Sequence, residues 1–197
     1  MNLLRGGLVL AAALLVGVAG ADDKKKADPA AAMEAMMKAG MPGEAHKKLE
    51  PLIGDWTYKV KIWFDPSGAP MDGTGTCKRQ WILGGRYVRE EYKGDETPEP
   101  FQGIGVVGYD NLRKKYTSAW IDSMSTGIVT GTATFDATGK TMTTLMENLD
   151  PVTGKPAKGR DVVDLSDKNK QTITAFKTAP DGKESKVMEI VLTRKPK

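Results

Sequence analysis

The chain has 197 residues, of which 40% are apolar and 27% charged, and a formal net charge of +4. That length fits one domain, or one domain with a short tail, and so small a basic surplus, scattered apart from Lys24-Lys25-Lys26, argues against nucleic acid as a partner. A single cysteine, Cys77, excludes an intramolecular disulfide, so stability has to come from burial and backbone pairing.

Met1 to Ala21 reads as a secretory signal peptide. Arg5 supplies the amino-terminal cation, Leu8 to Val16 the apolar run, and Ala19-Gly20-Ala21 the small residues of a cleavage site after Ala21. The run falls short of the ~20 apolar residues of a membrane span, and no cysteine near the site offers a lipid attachment. The expected location is periplasmic or secreted, with the periplasm preferred and no membrane anchor after cleavage.

Residues 22–52 read as a polar segment followed by a short helical leader. Asp28-Pro29 is a helix start, with Asp as N-cap and Pro at the first helical position. Ala30 to Ala39 carries Met33, Met36 and Met37 at helical spacing, and Gly40 ends the helix. Pro42 opens a second short helix through about Leu52. The Met stripe is expected to pack as a lid or plug, with a partner surface as the alternative. His46, the single histidine, is expected to fix the leader to the end of the next domain rather than to reach into its interior.

From residue 53 onward the pattern becomes that of a β domain. Trp56, Tyr58, Val60, Ile62 and Phe64 share one face and Lys59, Lys61 and Trp63 the other, a period of two. Further strands are expected at Gly73–Leu83, Arg86–Lys93, Ile104–Tyr109, Lys115–Asp122, Thr126–Phe135, Thr141–Leu149, Arg160–Leu165, Gln171–Lys177 and Lys186–Arg194, divided by Gly, Pro and Asp turns. Sequential strands with short turns form a meander, and closing it removes exposed edges. Gly54-Asp55-Trp56 is a G-x-W motif, and on the last strand Met188, Ile190, Leu192 and Arg194 share a face. In small barrels of the calycin type a late basic residue covers such a Trp. The expected fold is all-β: a single closed antiparallel up-and-down barrel of about ten strands, lipocalin-like, with the guanidinium of Arg194 over Trp56. An open two-sheet sandwich is the alternative.

Several segments together resemble a known family. They are His46-Lys47-Lys48-Leu49 ahead of Gly54-Asp55-Trp56; Trp81 through Tyr87; Phe101-Gln102-Gly103-Ile104-Gly105; Gly108-Tyr109-Asp110; and Trp120 through Met124. In this order they resemble domain of unknown function 1579, exported bacterial proteins with a lipocalin-like barrel, over about residues 40–195. The resemblance implies the fold and no activity.

No catalytic or metal constellation stands out, and no cofactor is expected; haem is disfavoured because no His lies on a late strand. Cys77 reads as a buried, inert thiol. Glu90 and Glu91 are adjacent on a strand, face opposite sides and cannot form a dyad. Arg79 and Asp122 both have the register to point inward. A buried Arg–carboxylate pair is more often structural than catalytic, although the Arg is also suited to a ligand carboxylate. Trp81, Tyr116 and Trp120 are candidates to line a pocket, with Met142, Met146 and Met188 as an adaptable wall. The strand glycines favour a cavity over a filled core. The leading functional reading is a barrel holding a small apolar or amphipathic ligand. The alternatives are an envelope interaction protein with a filled core, and an enzyme using Arg79 and Asp122.

Overall fold

In the computed structural model, residues 28–95, 98–150, 153–179 and 181–196 are described; the signal-peptide reading of residues 1–21 lies outside them. Along the first strand the alternation seen in the sequence becomes a wall with two sides: Trp56 and Tyr58 are buried, and Lys59 and Lys61 are exposed. The same alternation recurs through β1 (Gly54–Ile62), β2 (Met71–Ile82), β3 (Tyr87–Gly94), β4 (Gln102–Asp110), β5 (Lys115–Asp122), β6 (Val129–Phe135), β7 (Thr141–Leu149), β8 (Pro156–Asp167), β9 (Lys170–Thr178) and β10 (Glu184–Arg194). Each strand pairs antiparallel with its neighbours in sequence, and β1 pairs with β10 from Trp56 opposite Arg194 to Ile62 opposite Met188. That continuous ladder closes the barrel and rules out the sandwich.

Phe64 departs from the expected inward set. β1 ends at Ile62, the N–H of Trp63 still donates to the Val187 carbonyl at 2.9 Å, and Phe64 lies beyond the ladder and is 81% exposed. Trp63 faces outward, with the Lys186 ammonium 4.3 Å from its ring centroid.

One end of the barrel is sealed. The Arg194 guanidinium lies 4.1 Å from the Trp56 ring centroid, and its Nη1 donates to the Ile53 carbonyl at 2.6 Å and its Nε to that of Lys168 at 2.8 Å. The planar cation stacks on the indole while its fixed fork of donors ties three chain segments together, a geometry that a compact ammonium does not offer. Gly54 makes room for it. Its φ is +140°, and a Cβ there would stand 2.1 Å from Arg194 Nη1.

The leader divides into two parts with different fates. α1 (Pro29–Ala39) begins as expected, with Asp28 accepting from the Ala30 N–H at 3.0 Å, yet buries no residue. Met33, Met36 and Met37 are exposed, so the stripe does not pack on the barrel. The segment that follows is the plug: α2 (Glu44–Lys47) and the 3₁₀ turn Glu50–Leu52 bury His46, Leu49 and Leu52. His46 Nδ1 accepts from the Gly43 N–H at 3.0 Å and its ring meets Tyr109 edge-on at 5.8 Å. Burial lowers the pKa of this imidazole, favouring the neutral form.

Candidate functional site

Above the plug the barrel is hollow. A cavity of about 930 Å³ runs from Leu52 to the opposite end, where Phe64, Met71, Phe101, Met124 and Val129 surround it. It opens opposite the plug because His46, Leu49 and Leu52 fill the other end. The wall is apolar, since inward positions carry Val60, Ile62, Val107, Met142, Ile173 and Ile190.

Part of this space exists because of small residues opposite large ones. A Cβ on Gly103 would stand 2.5 Å from the Trp120 ring, so the indole of β5 lies flat across the backbone of β4. Phe101 stacks beside it at 6.4 Å and Tyr92 meets it edge-on at 5.5 Å. Asp122 Oδ2 accepts from Trp120 Nε1 at 2.7 Å, and its Oδ1 accepts from the Met124 N–H at 2.9 Å. Asp122 therefore orients the indole and the turn after β5.

A buried polar network lies at the cavity floor. Arg79 is 2% exposed; its Nη1 donates to Gln171 Oε1 at 2.7 Å and its Nη2 to the Tyr92 hydroxyl. Its Nε faces Glu90 Oε1 at 3.4 Å, an ion pair that lacks hydrogen-bond alignment and leaves the Nε proton without an acceptor. Burial works most strongly against the guanidinium charge, but Glu90 together with Tyr92 and Cys77 offsets it and the group stays protonated. Gln171 Nε2 donates in turn to the Pro51 carbonyl at 2.7 Å, so the network anchors the floor to the plug. Burial also pushes the Cys77 thiol up to about 12, which leaves it inert, and raises the Tyr92 hydroxyl.

Asp161 completes the lining. It sits on β8 in the inward register of Val163 and Leu165, with Thr144 of β7 and Ala175 of β9 opposite. Burial, and then the charge of Glu90, raise its pKa from 3.8 to about 6.

Six of the eight residues singled out from the sequence line this cavity: Arg79, Trp120, Asp122, Met142, Met146 and Met188. Trp81 and Tyr116 do not. Trp81 Nε1 donates to Glu50 Oε2 at 2.8 Å and the Tyr116 hydroxyl to the Ala45 carbonyl at 2.8 Å, so both grip the plug from below. Their inward register is right, but they lie one or two layers too close to the sealed end. The Arg79–Asp122 pair does not form either: Arg79 pairs with its register partner Glu90, and Asp122 with Trp120. Glu90 does face inward, while Glu91 faces outward toward Arg89 at 3.2 Å. Glu90, Tyr92, Asp161 and Gln171 were not among the sequence candidates. The signal for them was an ionisable or amide residue in phase with apolar inward neighbours, as Asp161 is with Val163 and Leu165.

A family model described as "Protein of unknown function (DUF1579)" matches residues 41–194. The chain belongs to this family. The match begins at the plug and ends on the closing Arg194, so the family unit is the sealed barrel without α1. No curated protein sequence matches the chain. Among solved structures, Rv2717c from M. tuberculosis is similar at 14% identity and a TM-score of 0.56, covering 79% of this chain and 100% of that one. The S-type phycobiliprotein lyase CPES from Guillardia theta is similar at 9% identity and a TM-score of 0.52, covering 82% and 97%. At such identities the likeness is one of fold. Among the described residues, no three His, Cys, Asp or Glu side chains gather in a metal-binding group.

Proposed function

We propose that the protein is an exported binding barrel for a small, largely apolar ligand. The observation that carries this reading is the cavity of about 930 Å³, open opposite the plug, with a largely apolar wall and a few polar groups, Arg79 and Glu90 among them, at its floor. Pockets for small molecules have roughly 300–1,000 Å³ and the same division between greasy wall and few polar contacts. The lyase among the fold neighbours is compatible with a working interior in a barrel of this size, and lends nothing about the ligand. Export rests on the signal-like segment 1–21, and amino-terminal sequencing of the protein recovered from the periplasm tests it.

Native mass spectrometry of the protein as purified, beside its denatured mass, tests the binding reading. A non-covalent adduct that survives gentle desolvation and disappears on denaturation supports it. An unliganded mass, together with no uptake of an apolar fluorescent dye, overturns it.

The exposed methionines of α1 favour a second role, a contact surface on the leader. If deletion of residues 28–40 leaves the protein's pull-down partners unchanged, that role is removed.

A further inference from the structure

We propose that the ligand carries a protonated or hydrogen-bond-donating nitrogen, held at the cavity floor by Asp161 with Glu90, so that the barrel selects amphipathic amines over carboxylates. This deepens the binding reading above and rests on it.

An inward arginine in a small barrel suggests a carboxylate ligand, and the contacts of Arg79 argue against that here. Its Nη1 is used by Gln171 and its Nη2 by Tyr92, while its Nε, buried and without an aligned acceptor, faces Glu90 at 3.4 Å, whose charge opposes its own at the strand pair where the two residues face each other. With its side chain 1% exposed, it offers an incoming anion almost no surface. The remaining ionisable groups of the lining are all acidic. Among the described residues around the cavity, Arg79 is the one cation, against Glu90, Glu99, Asp122 and Asp161. Asp122 is occupied by Trp120 Nε1 and the Met124 N–H.

Asp161 is different. Its carboxylate makes no hydrogen bond or ion pair with any other described residue, although it is half-buried in an otherwise apolar stretch of wall. Its register partners, Thr144 on β7 and Ala175 on β9, carry no charge, and the charge that acts on it across the barrel is that of Glu90. Two carboxylates within electrostatic reach, with the one arginine of the lining paired to Glu90 and not to Asp161, leave a surplus of negative charge in a low-dielectric space. Such a site is relieved by a cation or a donor, and made worse by an anion. The aromatic wall suits the same occupant. The Glu90 side chain lies against the Cα of Gly105, a Cβ on which would stand 3.3 Å from Trp120, so a carboxylate and an indole adjoin the same backbone. An ammonium there is attracted by both.

The test uses three probes with the same alkyl chain, decylamine, decanol and decanoate, titrated into the full mature protein by calorimetry and by tryptophan fluorescence. At about pH 7.5, where amine and Asp161 are both charged, decylamine is expected to bind about tenfold or more tighter than decanol, as a charge-assisted hydrogen bond allows. Decanoate is expected to bind weakest. Asp161→Asn is expected to bring the amine down to the level of the alcohol and leave the alcohol unchanged. If decanol binds and decylamine binds no better, or if decanoate is preferred, the amine inference falls and the binding reading stands. If none of the three binds, both fall. The comparison among probes in the wild-type protein needs no variant, so the inference stays exposed even if Asp161→Asn folds poorly.

Discussion

Replacing Asp161 by Asn should stabilise the free protein at neutral pH. Asp161 ionises at about 6 instead of its ordinary 3.8, because burial and Glu90 disfavour its charge. The native state therefore holds a proton that the unfolded chain releases between those two values. It follows that stability falls as pH rises from about 4 to about 6, and that the loss is complete above the native pKa. At about 1.4 kcal/mol per pH unit this amounts to about 3 kcal/mol, a ceiling, since the half-buried carboxylate still meets cavity water. Asn keeps the shape and removes the charge. Urea unfolding of both proteins at a series of pH values is the assay. The expected difference is close to zero near pH 3, grows between about pH 4 and 6, and levels at about 1–3 kcal/mol in favour of the variant. The carboxylates held low by turn hydrogen bonds, such as those of Asp65, Asp136 and Asp164, are common to both proteins and cancel in the difference. A variant less stable than wild type at neutral pH would show that Asp161 has a partner in the free protein, and would remove the basis for treating it as a ligand group.

Arg194→Ala should destabilise by about 1–3 kcal/mol through lost stacking and packing on Trp56, read as a lower urea midpoint with an unchanged slope. An effect below about 0.5 kcal/mol would mean that the closure is solvated and carries little. Gly103→Ala should push the Trp120 indole off β4, since the new methyl would stand 2.5 Å from the ring; the near-ultraviolet dichroism of the folded protein should change, and an unaltered spectrum would contradict the close approach. Cys77, pushed up to about 12 and 2% exposed, should resist thiol reagents in the native state and react at once in denaturant, so rapid native labelling would refute its burial.

Most of the barrel was legible in the chain because a period of two is a local property. Each of the ten expected strands overlaps an observed one, and departures sit at ends, as where β6 starts at Val129 instead of Thr126 and β8 runs from Pro156 to Asp167. Trp56 and Arg194 were readable for a related reason. In a closed meander the last strand lies antiparallel to the first, so two motifs at opposite ends of the sequence must meet.

Register along a strand tells which side a residue faces, and it does not tell how deep in the barrel that residue lies. That is why Trp81 and Tyr116, correctly placed inward, turned out to hold the plug while Trp120 lines the cavity. Nor could alternation alone pair Arg79 with Glu90 instead of Asp122, because the choice depends on the stagger between strands. The role of the leader was settled by packing in the same way: the methionines of α1 look like a lid in sequence, but Leu49 and Leu52 fill the barrel end and α1 is left outside. The amino-acid pattern determines the strands, their facing and the closure, all of which follow from periodicity and chain direction. Depth, cross-barrel partners and the unpaired state of Asp161 depend on distances between residues far apart in the chain, and only the folded barrel brings those into being.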